Sequence, residues 1–237
     1  MRAHRQQTSP CGRYGRLPKV AGGLALTAVY WFPVRRMFHQ WGTTPEELER
    51  VMPGDSLIPS PTKIDTGAVT VNAPAEDIWP WLVQMGQGRG GLYSYDWLDR
   101  LFGFLDRPSA TSILPEFQQL AVGDKIYWGR EELTVKVLEP LRSLALLDQG
   151  HGMQWVWQFG LYPIDDQRTR LVNRGTEWTP NAPLWWLFMR ISEPAAFIMT
   201  RRFMLGVKQR AETLHASAPA NPVPPQAAQP AGVGAAG

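Results

Sequence analysis

The alternation of apolar and polar residues in the second half of the chain predicts a series of short β-strands. The strand-like segments are residues 124–128, 133–138, 143–147, 154–161 and 169–178. Turn-forming residues such as Gly129, Pro140 and Gly152 separate them. Because these connections are short, we expect the strands to pair as an antiparallel meander. The alternating sequence GAVTVN predicts one earlier strand at residues 67–72.

Helical patterns flank this series of strands. Pro74, Glu76 and Asp77 favour a helix start directly after the first strand, because proline and acidic residues are preferred in a first turn. A shorter helix is predicted at residues 95–104 and a long one at residues 183–215. This order predicts an α+β fold in which a curved antiparallel sheet wraps around a long C-terminal helix, with two short helices after the first strand. Such a sheet and helix would enclose an apolar cavity.

These patterns divide the chain into five parts. We expect a disordered basic N-terminus at 1–19, an apolar helix at 20–40, a short helix with a Pro-rich connector at 41–65, the folded ligand-binding domain at 66–215, and a disordered Ala/Pro tail at 216–237. The tail contains only Ala, Pro, Gly, Ser, Asn, Val and Gln, so it cannot bury a core.

An uncharged run, VAGGLALTAVYWFPV at residues 20–34, lies between Lys19 and Arg35. A membrane-spanning helix needs about 20 apolar residues, so this run is short. Three interpretations stay open: a short or interfacial membrane anchor, a helix packed on the domain, or a cleaved signal peptide, for which no A-x-A-like site follows. We therefore expect a cytoplasmic protein, with membrane contact through residues 20–36 as the open alternative.

The charge of the chain does not indicate a nucleic-acid partner. The formal net charge is +3, and the first five basic residues all lie before residue 20, ahead of any acidic residue. The sequence has no basic stripe with interleaved aromatic residues. The single cysteine, Cys11, cannot form an internal disulfide. The four histidines are scattered without ligand spacing, so we expect neither a metal site nor a cofactor.

Eleven tryptophans are an unusual number for a chain of 237 residues. Aromatic side chains bury large areas, but indole N–H groups need partners, so abundant tryptophan is typical either of a large, partly wet cavity or of an ordinary core. Alternation over residues 153–161 puts several aromatic side chains on one buried face. The candidate ligand-binding aromatic residues are Trp79, Tyr93, Tyr95, Trp128, Trp155 and Trp157.

Alternation along residues 172–178 places Arg174 and Glu177 on opposite faces of a strand. Whichever face points inward therefore carries a charge, and a buried charge needs a partner. If Arg174 faces the cavity it could bind a ligand carboxylate, and if Glu177 does it could accept a proton. An outward-facing cross-strand ion pair is the purely structural alternative.

The sequence GQGRGG at residues 86–91 satisfies the G-x-G-x-x-G pattern of dinucleotide sites. That pattern needs a strand before it and a helix directly after it, whereas here a helix is predicted before it. We therefore interpret the segment as a loop beside the cavity, with Arg89 either solvated or close to an anionic ligand. The sequence has no G-x-S-x-G nucleophile motif.

Four segments carry a family resemblance: TVNAPAEDIWPWLVQMG (70–86), GGLYSYDWLDRL (90–101), VGDKI (122–126) and TRLVNRGTEW (169–178). Within residues 41–215 they resemble the START-like superfamily (SRPBCC, helix-grip), particularly its polyketide cyclase/dehydrase-like and uncharacterised bacterial members. The resemblance implies a helix-grip fold with a hydrophobic ligand cavity. It implies no particular reaction, because this superfamily contains lipid carriers, cyclases, hydrolases and sensors.

Three functions are compatible with these features. The leading hypothesis is binding of a hydrophobic small molecule, such as a lipid or an aromatic polyketide, with no catalysis or only weak catalysis. The second is a cyclase- or dehydrase-like enzyme in which Glu177 or Asp96 is the general base and Arg174 steadies an enolate oxygen. The third is a membrane-associated accessory protein. A cavity rich in tryptophan with at most two charges favours binding over catalysis.

Overall fold

The structure, a computed structural model, describes residues 33–150, 152–180 and 182–217. Its centre is a six-stranded sheet in the order β1-β6-β5-β4-β3-β2, in which all neighbours are antiparallel. The strands are β1 (Lys63–Val71), β2 (Lys125–Trp128), β3 (Glu131–Glu139), β4 (Ser143–Asp148), β5 (Gln154–Asp165) and β6 (Arg168–Trp178). Strands β2 to β6 form the predicted meander, and β1 pairs with β6 at the other end.

Five α-helices accompany the sheet in the described part of the chain. They are α1 (Arg35–His39), α2 (Pro45–Glu49), α3 (Ala75–Val83), α4 (Asp96–Leu101) and α5 (Pro183–Ser217). The order of strands and helices confirms the predicted α+β helix-grip fold, with α5 packed along one face of the sheet. Helix α5 ends two residues later than predicted, so Ala216 and Ser217 belong to it rather than to the tail.

Phe203, Met204 and Val207 of α5 pack on one face of the sheet, which we call the inner face. Strand register sets side chains of β1, β6 and β5 in rows across it. Three of these rows are Lys63–Glu177–Trp155, Asp65–Gly175–Trp157 and Val69–Leu171–Leu161. The third row is apolar and closes the core, whereas the first two carry charged groups and tryptophans.

The opposite face, the outer face, is also covered. The segment between α2 and β1 lies across it: Met52 packs with Ala68 and Val172, and Ile58 packs with Val156. The Pro-rich connector predicted from sequence is therefore a second packing layer. Both faces of β5 and β6 are buried as a result.

Helix α5 lies unusually close to the loop before α4. A Cβ placed on Gly206 would come within 2.0 Å of the Tyr93 carbonyl oxygen, so only glycine permits this approach. The closeness lets the apolar residues of α5 and α3 share one core with the inner face.

Among the described residues, no helix is both long and apolar enough to cross a membrane. Apart from Pro33 and Val34, the apolar run at residues 20–34 lies outside the described residues, as does the predicted basic N-terminus. Residues 218–237 of the predicted tail also lie outside them.

Candidate functional site

Three tryptophans meet on the inner face, and we call Trp128, Trp155 and Trp157 the tryptophan stack. Trp155 and Trp157 are two residues apart on β5, so strand alternation puts both on this face, and Trp128 ends β2. The ring centroid of Trp128 lies 5.1 Å from that of Trp155 and 5.4 Å from that of Trp157. Trp155 and Trp157 are 5.6 Å apart. At these distances the rings are in mutual contact.

The stack continues the aromatic packing of the interior. The Trp157 ring lies 4.9 Å from Phe159 and 5.0 Å from Phe203 of α5, and the Trp128 ring lies 5.4 Å from Phe104. Trp157 and Phe159 are buried, whereas Trp128 and Phe104 are half-buried. The apolar cavity predicted from the sequence is therefore occupied by aromatic side chains, which reach the surface at one end. A ligand entering there would have to part them.

One polar atom within the stack lacks a partner. The indole Nε1 of Trp128 is buried and has no hydrogen-bond acceptor among the described residues. A buried donor left unpaired costs about 1–3 kcal/mol. An acceptor atom on a bound molecule could satisfy it.

Gly175 provides the surface on which the stack lies. It is the cross-strand neighbour of Trp157 on β6, and a Cβ there would lie 3.4 Å from Nε1 of Trp155. That distance is an ordinary van der Waals contact, so the Trp155 indole lies directly over the β6 backbone at Gly175.

Glu177 lies beside Trp155 in the same row and is only 8% exposed. Among the described residues no group donates a hydrogen bond to its carboxylate, and its ion-pair partner, Lys63 Nζ, is 4.0 Å away. Burial raises the pKa of Glu177 above its ordinary value; Lys63 opposes the rise, and the charges of Asp65 and Glu193 add to it. Glu177 is thus a buried acid whose negative charge is only weakly stabilised by its neighbours.

The other two acids near Glu177, Asp65 and Glu193, have closer ion-pair partners. Asp65 pairs with Lys63 at 2.7 Å and hydrogen-bonds His39. Although burial opposes it, these contacts hold the pKa of Asp65 below its ordinary value. Glu193 of α5 pairs with Arg35 at 3.1 Å and with Arg190 at 2.6 Å.

A cavity of about 70 Å³ lies between α1, β1, β6 and α5. Ligand pockets usually measure about 300–1,000 Å³, so this space suits a few water molecules rather than a drug-sized ligand. Its lining residues include His39, Lys63, Asp65, Asn173, Glu193, Phe197 and Met204. Its polar wall accounts for the charged rows at this edge of the inner face.

A second acid, Asp148, lies on the other side of Trp155 in the same row. It is 6% exposed, and its Oδ1 accepts a hydrogen bond of 2.9 Å from the Gly150 backbone N–H. Trp155 therefore has a buried carboxylate on each side. Asp148 was not predicted as a site residue, because its sequence position is that of a turn.

Arg174 lies on the outer face. It is 4% exposed and donates to Asp55 at 2.7 Å and to Thr66 at 3.2 Å. The remaining acceptors are the backbone carbonyls of residues 47, 48 and 50. This corrects the expectation that Arg174 faces the space under α5, because strand alternation aims it at the connector instead.

Tyr93 lies at the deep end of the aromatic packing. Its hydroxyl donates to the Trp81 carbonyl at 3.0 Å, and its ring lies 6.1 Å from Phe203. Burial raises the pKa of the Tyr93 hydroxyl. The hydroxyl is thus committed to the backbone rather than free to orient a ligand.

The remaining aromatic candidates lie away from the stack. Tyr95 precedes α4, is 37% exposed, and has the Arg202 guanidinium 5.6 Å from its ring centroid. Trp79 is half-buried on α3 and packs against the core. Of the aromatic residues predicted for the site, the structure brings together the three of the tryptophan stack.

Asp96, the first residue of α4, holds the loop that follows this helix. Its carboxylate accepts hydrogen bonds from the backbone N–H and the hydroxyl of Ser109, at 2.9 and 2.6 Å. Nearby, Asp99 is fully buried and accepts from the Ser94 hydroxyl, and burial raises its pKa. Asp99 was not predicted, because DWLDRL has the pattern of an exposed helix.

The G-x-G-x-x-G segment is a closed loop. Gly86 and Gly91 form an isolated bridge, and Arg89 donates to the Val83 and Phe117 carbonyls at 2.9 and 3.3 Å. Helix α3 comes before this loop, and α4 begins only at residue 96. This arrangement lacks the helix start that a dinucleotide pyrophosphate needs. Within the described residues no group of three metal-ligating side chains is found.

No protein-family model matches the sequence, and no curated protein matches it. Solved structures do match. A START superfamily protein from Mycobacterium smegmatis is 12% identical, with 64% of this chain and 98% of that chain covered and a TM-score of 0.41. Protein MLL2253 from Mesorhizobium loti is 17% identical (64% and 98% covered, TM-score 0.42). The Aha1 dimer from Colwellia psychrerythraea is 16% identical (64% and 97%, TM-score 0.38).

The chain has a helix-grip fold. That assignment follows from the strand order and from the position of α5 on the inner face. At the identities and TM-scores above, neither a ligand nor an activity is transferred from these structures.

Proposed function

We propose that this protein binds an apolar small molecule, of flat or aromatic shape, at the tryptophan stack. The observation that carries the proposal is the stack itself: rings that are half-buried at one end, continue into the interior, and include a buried indole N–H without an acceptor. A ligand ring that enters beside Trp128 would separate rings of the stack, and its own contacts with them would replace the ring–ring contacts that are lost. An acceptor atom on the ligand would satisfy Trp128.

The free energy gained by burying an aromatic ligand is large enough for measurable binding. Burying one aromatic group removes about 150–250 Å² from water, or about 4–6 kcal/mol at about 25 cal/mol per Å². Parting the rings and immobilising the ligand oppose this gain. After these costs we expect dissociation constants of about 0.1 mM or weaker for simple aromatic probes.

Isothermal titration calorimetry with 1-naphthalenemethanol tests the proposal. We expect Trp155→Ala to weaken binding about tenfold or more, because the removed ring forms part of the entrance. The matched control is Trp97→Ala, since Trp97 is 68% exposed on α4; it should retain the original affinity. Equal losses in both variants, or no binding by the original protein, would contradict a site at the stack.

A second candidate function rests on Glu177. A buried carboxylate with a raised pKa beside an apolar site can serve as a proton acceptor. The enzyme hypothesis would then use Glu177 alone, because Arg174 lies on the outer face and Asp96 is bound to Ser109. Exchange of a carbon-bound α-proton of a bound ketone with deuterated solvent, lost in Glu177→Gln, would support it.

Membrane contact through residues 20–36 stays a prediction. Sedimentation of the full chain with anionic vesicles tests it, compared with a variant in which Leu24 and Leu26 are replaced by Asn. Equal sedimentation of the two chains would remove this alternative.

A further inference from the structure

The row of side chains that contains Trp155 has an excess of negative charge. Glu177 lies on one side of Trp155 and Asp148 on the other, and both are more than nine-tenths buried. Lys63 ends the row, and its ammonium group lies 2.7 Å from Asp65 but 4.0 Å from Glu177. One lysine is thus shared between two carboxylates, and Asp148 lies on the far side of Trp155 from it.

Of these carboxylates, Glu177 is the one that accepts no hydrogen bond from the described residues. Buried polar groups in proteins are nearly always hydrogen-bonded, and buried charges are paired. Asp65 has Lys63 and His39, and Asp148 has the Gly150 N–H. Among the described residues nothing donates a hydrogen bond to Glu177, and its carboxylate oxygens are not among the fully buried unpaired atoms, so a group in solvent can reach them.

The indole rings beside Glu177 also favour a cationic group. The face of an indole attracts cations, and aromatic residues combined with carboxylates recognise ammonium ions in proteins. Trp155 and Trp128 are half-buried, so a group entering from solvent reaches their rings. A ligand carboxylate placed there would meet like charges in a desolvated site.

We propose that the ligand of the tryptophan stack is an apolar amine, whose ammonium group lies against Glu177 and the Trp155 ring. This inference rests on the proposed function, because it names the polar end of the same ligand. The apolar body would occupy the stack. The ammonium group would supply a second cation beside Lys63 and the hydrogen-bond donors that Glu177 lacks among the described residues.

Four probes with one ring system test this at neutral pH: 1-naphthylmethylamine, its N,N,N-trimethyl derivative, 1-naphthalenemethanol and 1-naphthoate. Calorimetry should show the two cations binding about tenfold or more tighter than the alcohol, with the carboxylate weakest. In Glu177→Gln the ratio of alcohol to amine dissociation constants should fall to about one to three. Asp148→Asn should lower the same ratio to a smaller extent.

The matched control for net charge is Glu132→Gln. Glu132 is a surface acid paired with Lys125, outside the row, so its removal should leave the ratio as in the original protein. Thermal unfolding of each variant confirms that it is folded.

Each outcome is decisive. If the alcohol binds as tightly as the amine, the amine inference is overturned while the proposed function stands. If the cations are preferred equally in the Glu177→Gln and original proteins, Glu177 does not hold them and the inference is overturned. If none of the four probes binds, the proposed function fails and takes the inference with it.

Discussion

Two buried charged residues on β6 differ in the hydrogen-bond and ion-pair partners that surround them. Arg174 and Glu177 are three residues apart and point to opposite faces of the same strand. On the outer face, Arg174 donates to side chains of the connector and of β1 and to a carbonyl of α2. On the inner face, Glu177 has one cation at 4.0 Å and no hydrogen bond within the described residues.

The difference separates a structural charge from a candidate functional one. Arg174 fixes the connector to the sheet, and its surroundings leave no donor group for a ligand. Glu177 has one cation at 4.0 Å and no hydrogen-bond donor among the described residues, so its carboxylate contributes little to the stability of the fold. The first group should matter mainly for stability and the second mainly for binding.

The largest expected effect is that of Arg174→Met. Removing this guanidinium takes the ion-pair partner from Asp55, which keeps its hydrogen bonds from Gln158 and Met52, and leaves carbonyls of α2 and of the connector without their donor. Breaking a buried pair costs about 3–5 kcal/mol, and we expect a loss near the lower end because Asp55 stays hydrogen-bonded. Urea unfolding followed by circular dichroism measures the loss. The control is Arg168→Met, which removes an exposed pair with Asp165 and should not change the unfolding midpoint measurably. A loss below about 1 kcal/mol for Arg174→Met would show that the outer-face network is not structural.

For Glu177→Gln we expect a smaller change in the free energy of unfolding, and in the opposite direction. Because the folded-state pKa of Glu177 is raised, the folded protein binds this proton more tightly than the unfolded chain. The original protein therefore loses stability as pH rises from acid through that raised pKa, and a glutamine does not. At neutral pH the variant should be the more stable protein, by less than the Arg174→Met loss.

Unfolding curves recorded across pH 4 to 8 measure this difference. It should vanish toward the acid end, where Glu177 is protonated in both states. Lys63, Asp65 and Glu193 are the neighbouring charges that set the midpoint of the change. A variant less stable than the original protein at pH 7 would mean that Glu177 is well paired after all.

Much of the fold could be predicted from the sequence, because alternation and turn residues are local signals. The five strands of the meander and the long final helix lie close to their predicted bounds. The sequence could also place Arg174 and Glu177 on opposite faces. It could not say which face was inner, because the connector buries the outer face and neither face has the polar pattern of a solvated one.

The candidate site could be predicted only in part. The spacing of Trp155 and Trp157 puts them on one face, but their contact with Trp128 depends on the pairing of four strands. Asp148 had the sequence context of a turn residue, and its place beside Trp155 follows from the β4–β5 register. Such contacts between distant segments leave no local signal in one sequence.

The position of the ligand is the central claim, and the indole N–H signals in a ¹H–¹⁵N NMR spectrum test it most directly. Single Trp→Phe variants assign the signals of Trp128, Trp155 and Trp97. On titration with 1-naphthalenemethanol, the Trp128 signal should move downfield as its N–H gains an acceptor, and the Trp155 signal should move with it. The signal of Trp97 should stay in place. Movement of Trp97 alone, or of none of the three, would contradict a binding site at the tryptophan stack.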